Sequence, residues 1–269
     1  MTRYAVIGTP IAQSKSPAIH RMFAEQTKQD VQYEAIEVAA DNFDSFVLDF
    51  FANGGGGLNV SIPHKERAYR IANQLEPLAE QAGAVNTLFQ DAEGTLCGDN
   101  TDGVGLVRDI QANNGIAIEC KNLLVIGAGG AVRGALVSLI EEKPATITLV
   151  NRTKEKAKQM RELFSAQQNI EVASFENLEG EFDLIINGTS LSLVGEVPAI
   201  SPDQLATGCC CYDMMYGDKA MVFSRWALTQ GAATVNDGLG MLVEQAAAAF
   251  YLWHSIYPDT AKVLIDLRL

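Results

Sequence analysis

Two sets of residues in this 269-residue chain have the types and spacing that small-molecule chemistry needs. The first is a glycine turn. Leu123 to Gly134 read LLVIGAGGAVRG, an apolar run, then closely spaced glycines, then the start of a helical pattern. Between a strand and a helix, such a turn gathers backbone N–H groups and the positive end of a helix dipole, which suits a pyrophosphate. Val132 stands where the strict G-x-G-x-x-G/A pattern has a small residue, so the motif taken alone also fits a turn that merely joins strand to helix. The next apolar run, TITLV, adds a second feature. It ends in Asn151-Arg152-Thr153, 24 residues beyond Gly127, where an NAD-binding chain carries an acidic residue for the ribose hydroxyls. Here Arg152, Lys154, Lys156, Lys158 and Arg161 stand with only Glu155 opposing, a positive cluster inside a chain of net charge −13. A 2′-phosphate is its natural partner, because a guanidinium grips phosphate in a fork and stacks on adenine. The expected cofactor is NADP(H).

The second set is polar and lies in the first hundred residues. Ser14-Lys15-Ser16-Pro17 places two hydroxyls around a lysine just before a helical pattern, where Ser16 suits the cap and Ser14 suits an oxygen-rich ligand. Asn59-Val60-Ser61-Ile62-Pro63-His64-Lys65 adds an amide, a hydroxyl and an ammonium at the end of an apolar run. Asn86-Thr87 and the turn Gly98-Asp99-Asn100-Thr101-Asp102-Gly103 bring more polar groups to similar places.

Composition narrows the partners. A hydrophobic fraction of 48% with 20% charged residues supports a sizeable core rather than disorder. The acidic balance argues against nucleic acid, which needs a basic face. The longest apolar stretch, Leu123 to Ile140, is interrupted by four glycines and Arg133, so it reads as strand, turn and helix rather than a membrane span. The opening run is broken at Gly8 and Pro10, too early for a signal peptide, and a cytoplasmic location is expected. Five cysteines, three of them consecutive at Cys209 to Cys211, read as reduced, buried thiols. Neighbours on a strand face opposite ways, so that run is poorly arranged around one metal, and no metal is expected.

The elements that must position these groups alternate in type. YAVIG, VQYEAIEV and LNVSIP read as strands; Pro17 to Lys28, Asn42 to Ala52 and a stretch from Lys65 read as helices, with Gly54 to Gly57 as a turn. After Asp102 a helix of about ten residues leads to Gly115. A second series follows with NLLVIGAGG, TITLV, FDLIIN and CCYD. Gly238 to His254 reads as one long helix, with Asn236 or Asp237 available as its cap. The fold class is therefore α/β in two domains. One is an N-terminal α/β substrate domain with a mostly parallel sheet, residues 1–102, rejoined by helices of 238–269. The other, residues 103–237, is a Rossmann-like NADP-binding domain. A cleft between them is the expected active site.

Taken together, SKSP, NVSIPHK, AGAVNT, GDNTDGVG, GAGGAVRG, NRT, YDMMY and DGLGMLVEQ resemble the shikimate dehydrogenase family in order and spacing over nearly the whole chain. The resemblance implies that Lys65 and Asp102 form the catalytic pair, and that the substrate is held by Ser14, Ser16, Asn59, Ser61, Lys65, Asn86, Asp102, Tyr216 and Gln245. It also implies an NADP site formed by Gly127, Ala128, Gly129, Gly130, Ala131, Asn151, Arg152, Thr153, Lys154, Lys156, Thr189, Met214, Gly238 and Met241. The implied reaction is NADPH-dependent reduction of 3-dehydroshikimate to shikimate by a monomer or homodimer, with Lys65 placed to supply the proton. A dual quinate/shikimate enzyme is the nearest alternative, and a non-catalytic NADP-sensing regulator the more distant one; the latter has little reason to carry Lys65 with Asp102.

Several positions depart from the family pattern. Ser61 replaces a threonine, His64 a hydrophobic residue, and Met221 in YDMMYGDKAMVF a frequent threonine. Asn187-Gly188-Thr189-Ser190 replaces NATS, and the following LSLVG differs from the usual glycine-containing turn. His20, His64 and His254 lack an orienting carboxylate in any motif and are read as structural or surface residues.

Overall fold

The computed structural model describes residues 1–164, 170–218 and 221–268, so Lys219 and Ala220 of the YDMMYGDKAMVF run lie outside the described residues. The chain forms two compact units, Met1–Gly105 with Leu242–Leu269, and Leu106–Met241.

In the first unit the order is β1 (Thr2–Gly8), α1 (Ser16–Thr27), β2 (Val31–Glu37), α2 (Phe43–Ala52), β3 (Gly55–Val60), α3 (Lys65–Ile71), β4 (Gln74–Leu75), α4 (Pro77–Ala82), β5 (Thr87–Gln90) and β6 (Leu96–Asp99). The sheet runs β2-β1-β3-β5-β6-β4. β1 pairs in parallel with β2 and β3, whereas β5 runs antiparallel to both β3 and β6. Because the chain leaves β1 to one side and returns on the other, the ends of β1 and β3 form a switch point, the usual place for a ligand in such sheets. Ile7, Phe43, Val47, Leu58, Val60 and Leu88 belong to the apolar core of this unit.

Three local expectations differ from what the unit shows; β3 ends at Val60, so Ser61 to Pro63 of the LNVSIP run lie outside the strand. Only Gly54 lies before the strand with a turn conformation (φ 79°); Gly55 to Gly57 are part of β3. A β-carbon at each of the three would run into Phe50, Tyr4 or Trp253, so large aromatic rings occupy the space the missing side chains leave. At α1 the cap residue is Lys15, with Ser16 already in the first turn and Pro17 beside it. The Ser14 hydroxyl, not that of Ser16, accepts a backbone N–H, from Ser16 at 3.2 Å.

After β6, α5 (Asp102–Arg108) continues through a wider π turn over Asp109–Asn113. The second unit then builds β7 (Asn122–Ile126), α6 (Gly130–Glu141), β8 (Thr146–Val150), α7 (Lys154–Phe164), β9 (Ile170–Ala173), β10 (Phe182–Asn187), β11 (Leu205–Asp213), α8 (Met221–Thr229) and β12 (Thr234–Asp237). Its sheet is wholly parallel, in the order β12-β11-β10-β7-β8-β9. The buried strands LLVI, TITLV and FDLIIN carry the near-continuous apolar character of a sheet covered on both faces. Cys97, Cys209 and Cys211 are buried, but Cys210 is half-buried and Cys120 is exposed, contrary to the expectation that the thiols are all buried. Cys120 lies in a turn with φ 59°.

α9 (Leu239–His254) starts one residue later than read from sequence; Asp237 Oδ1 accepts the Leu239 N–H at 3.4 Å. From Leu242 onward α9 belongs to the first unit, where Val243, Ala247 and Phe250 pack with Ile19 and Phe23 of α1 and Val263 of α10 (Thr260–Arg268). No helix among the described residues is long and apolar enough to cross a membrane.

Candidate active site

The polar residues of the first unit converge at the ends of its strands. Lys65 is the first residue of α3 and Asp102 the first of α5. Lys65 Nζ donates to Asp102 Oδ2 at 2.5 Å, with side chains 15% and 7% exposed, so the pair is shielded yet reachable. The other carboxylate oxygen accepts from Asn86 Nδ2 at 2.9 Å, and the same amide nitrogen lies 3.5 Å from Gln245 Oε1. Gln245 reaches this point from α9, with its Nε2 donating to the Leu242 carbonyl at 2.8 Å. Asn100 Oδ1 accepts the Asp102 N–H at 3.1 Å, which holds the start of α5 against the turn before it.

Asn59, near the end of β3, is buried and donates to Thr87 Oγ1 at 3.1 Å. Lys65, Asp102, Asn86, Gln245 and Asn59 thus share one hydrogen-bonded network. Ser61 follows the end of β3, and Ser14 and Ser16 stand at the start of α1, with no side-chain bond joining the three to that network among the described residues. Ser61 is placed by its backbone: its N–H donates to Ile7 O at 2.7 Å, and Thr9 N–H donates to Ile62 O at 3.0 Å. Tyr216 follows β11 in the second unit and is half-buried.

Thr87, Thr101 and Tyr33 belong to the network and were given no role by the sequence. Asn86 Oδ1 takes the Thr101 N–H at 2.9 Å and the Thr87 hydroxyl at 2.9 Å; Tyr33 donates to Asn59 Oδ1 at 2.7 Å. The pairs Asn86-Thr87 and Thr101-Asp102 were the available signal for the threonines. Tyr33 offered none, being one aromatic residue in an ordinary strand. His64 is buried and bonds the Val38 carbonyl at 2.7 Å through Nε2, and His20 is buried among aromatic rings.

In the second unit β7 and β10 are neighbours although two strands separate them in sequence, so the switch point of this sheet lies between them. Gly127 sits there with φ 116°, a conformation few side chains allow, and a β-carbon on it would meet Gly188 O at 3.1 Å. The turn through Ala128 and Gly129 leads into α6, whose first turn has no side-chain cap. A β-carbon on Gly129 or Gly130 would meet open space. An uncapped helix start with open glycines is what a pyrophosphate needs. Asn151, Arg152 and Thr153 form the turn after β8, where Asn151 Nδ2 donates to Thr153 O at 2.9 Å; Arg152 is exposed there, and Lys154 and Lys156 follow on α7. These residues fit NADP, with the glycine turn for the pyrophosphate and the basic turn for the 2′-phosphate.

The loop after β10 is held from within. Asn187 Oδ1 accepts the Thr189 hydroxyl at 2.7 Å and the Thr189 N–H at 3.1 Å; Asp213 Oδ2 takes Ser192 Oγ at 2.6 Å and Asn187 Nδ2 at 3.2 Å. Burial raises the Asp213 carboxyl above its ordinary range, against these bonds and that from the Met215 N–H, which lower it. Met214 and Gly238 are brought together, since Gly238 N–H donates to Met215 O at 2.9 Å and a β-carbon on Gly238 would strike the Met214 carbonyl. Met241 is buried in the first turn of α9. Among the described residues no group of three or more His, Cys, Asp or Glu could hold a metal.

A dinucleotide cradle in one α/β unit and a lysine–carboxylate pair in another define an NADP-linked oxidoreductase of a small polar substrate. The comparisons make this specific. The model of the shikimate dehydrogenase substrate binding domain matches residues 6–88, that of shikimate / quinate 5-dehydrogenase matches 110–194, and that of the shikimate 5′-dehydrogenase C-terminal domain matches 238–264. A shikimate dehydrogenase (NADP(+)) of Alkalilimnicola ehrlichii is 52% identical over 266 residues, covering 99% of this chain and 98% of that protein. The crystal structure of shikimate 5-dehydrogenase from Thermus thermophilus in complex with NADP(H) and shikimate is 31% identical, with TM-score 0.88 over 97% of this chain and 96% of that one. An Ael1 enzyme from Pseudomonas putida is 40% identical, with TM-score 0.93 over 99% and 98%. The chain belongs to the shikimate dehydrogenase family.

Proposed function

We propose that this chain catalyses the reversible reduction of the 3-dehydroshikimate ketone to the alcohol of shikimate, with NADP(H) as its redox partner. The observation that carries this reading is the 2.5 Å bond between Lys65 and Asp102 in a chain of this family. When bound, NADPH supplies the hydride. Lys65 presents an N–H to the carbonyl oxygen, supplies the proton in reduction and takes it back in oxidation. Asp102 accepts one Lys65 N–H and so fixes the direction of the others, while its second oxygen is held by Asn86. Ser14 and Ser16, at the start of α1, and Tyr216 are assigned to the substrate carboxylate, and Asn59, Ser61, Asn86, Asp102 and Gln245 to the ring hydroxyls. Gly127 to Ala131, Asn151 to Lys156, Thr189, Met214, Gly238 and Met241 are assigned to the cofactor.

A cytoplasmic monomer or homodimer acting on a free small molecule belongs to the same reading, and the net charge of −13 speaks against a nucleic-acid partner. The test is direct: purified protein is given 3-dehydroshikimate with NADPH, and shikimate with NADP+, and absorbance at the nicotinamide band is followed. Turnover in both directions is expected. Absence of turnover with either pair overturns the assignment.

A further inference from the structure

We propose that Thr87 is a positioning residue for the Lys65–Asp102 pair, because its hydroxyl joins the Thr101 N–H in fixing which way round the Asn86 amide stands. The inference rests on the reading of this site as a ketone-reducing one. An asparagine amide has nearly the same shape in its two orientations, so hydrogen bonds decide which end faces which neighbour. At Asn86 the choice matters: one orientation gives Asp102 Oδ1 a donor at 2.9 Å, and the other sets a carbonyl oxygen against the carboxylate.

The direction is propagated through a chain of groups that starts at the half-buried Tyr33 and is buried from Asn59 onward. Tyr33 donates to Asn59 Oδ1 at 2.7 Å, which turns Asn59 Nδ2 toward Thr87 Oγ1 at 3.1 Å. Having accepted that bond, the Thr87 hydroxyl has its own hydrogen left for Asn86 Oδ1 at 2.9 Å. The Thr101 N–H donates to the same oxygen at 2.9 Å, which leaves Asn86 Nδ2 to donate to Asp102 Oδ1 at 2.9 Å and to the Thr101 hydroxyl at 3.0 Å. Burial holds the Tyr33 phenol well above its ordinary pKa, which keeps it a donor. Asn59, Asn86 and Asp102 are 6%, 2% and 5% exposed and Thr87 is fully buried, so water cannot substitute for a missing member. Every bond in the series from Tyr33 to Asp102 runs in the same sense, ending on the carboxylate that also receives Lys65.

The experiment compares the parent with Thr87→Val, which keeps the shape and loses the hydroxyl, and Thr87→Ser, which keeps the hydroxyl. The expected result for Thr87→Val is a fall in kcat of about tenfold, the scale of one lost buried hydrogen bond, with KM changed much less. Thr87→Ser should recover kcat. Tyr33→Phe, at the far end of the series, provides the same test should Thr87→Val not fold, with a smaller fall in kcat and KM again changed much less. Parental kcat in the folded variants overturns the inference while leaving the function intact; equal losses of kcat in Thr87→Val and Thr87→Ser do so too. An inactive parent overturns the functional reading and this inference with it.

Discussion

Val132 occupies the space that a side chain on residue 188 would need: a β-carbon built on Gly188 runs into the Val132 Cγ2 methyl. Two departures visible in the sequence, a valine where the glycine motif has a small residue and a glycine where NATS has alanine, are therefore one exchange of volume across β7–α6 and the end of β10. Val132 is fully buried, so neither change stands alone.

The expected consequence is energetic coupling. Gly188→Ala should destabilise by about 1–3 kcal/mol through overpacking, and Val132→Ala by a similar amount through the lost methyls and the cavity they leave. The double variant should be more stable than the sum of the two losses implies, by at least about 0.5 kcal/mol. Recovery will be incomplete, because a β-carbon on Gly188 also comes to 3.1 Å from Met214 Sδ and 3.2 Å from Ile126 O. Urea unfolding of the four proteins decides it; additive losses would show that the exchange is coincidental.

Lys65→Ala should lower kcat by orders of magnitude while leaving KM comparatively intact, because the Lys65 interaction strengthens as charge develops on the carbonyl oxygen. Asp102→Asn should also lower kcat, since an amide at that position no longer holds the ammonium that lies 2.5 Å away. Steady-state kinetics on both variants test the pairing. A defect of Asp102→Asn confined to KM removes Asp102 from the proton step.

Arg152→Ala should narrow a strong preference for NADP over NAD. The turn after β8 carries no acidic residue at Asn151, Arg152 or Thr153 to accept the ribose hydroxyls, so the charge-assisted grip on a 2′-phosphate is the main source of selection. The loss should fall on NADPH and should shrink as salt is raised, which screens the same contact in the parent. Equal parental efficiencies with the two cofactors contradict this.

The glycine turn and the parallel strands of the second unit were legible because burial on both faces writes long apolar runs, and a helix start at a strand end is a local event. The first unit was harder to read. β5 and β6 are four residues each, TLFQ and LCGD, too short and mixed for a period to emerge. Gly55 to Gly57 read as a turn because glycine is poor in strands, yet Trp253 packs over Gly57 from almost two hundred residues away. The candidate site residues could be named, but not the network joining them. The bonds from Tyr33 to Asn59 and from Asn59 to Thr87 cross 26 and 28 residues, and no spacing rule connects those positions. Distances of that kind belong to the folded sheet rather than to the chain.

His20 sets an acid limit on stability. It is fully buried, stacked on Tyr33 at 4.1 Å, and its pKa is lowered to about 3, first by burial, then by His254, with Asn59 acting in the opposite sense. In the unfolded chain it titrates near 6.5. Above that value the imidazole is neutral in both states, and stability is unaffected by it. Below it the unfolded state binds a proton that the folded state refuses until about pH 3, so stability falls across that window at up to about 1.4 kcal/mol per pH unit. Urea unfolding at pH 7 and pH 5 should show a larger loss for the parent than for His20→Phe, and the difference isolates His20 from the carboxylates. Parallel losses would place the acid sensitivity elsewhere.

Shikimate should be preferred over quinate, for a reason that lies in how the polar groups divide between the two ends of the ring. Ser14 and Ser16 lie at the start of α1, the helix whose cap uses neither hydroxyl as a side-chain acceptor for the first turn beyond the Ser14 bond to Ser16 N–H. They suit a carboxylate. The remaining groups, Asn59, Ser61, Lys65, Asn86, Asp102 and Gln245, are assigned to ring hydroxyls and the reacting carbon. Quinate carries an additional hydroxyl on the carbon that bears its carboxylate, and its saturated ring is more puckered. It therefore needs room and a polar partner beside the serine pair, where the polar residues assigned to substrate are already given to the carboxylate. Burying an unpaired hydroxyl costs roughly 1–3 kcal/mol, which corresponds to about a tenfold to hundredfold discrimination. Measuring kcat/KM for the two acids with NADP+ under one set of conditions decides the question. Comparable values would move this protein to the dual-specificity branch of the family, and a preference for quinate would reverse the assignment of the serine pair.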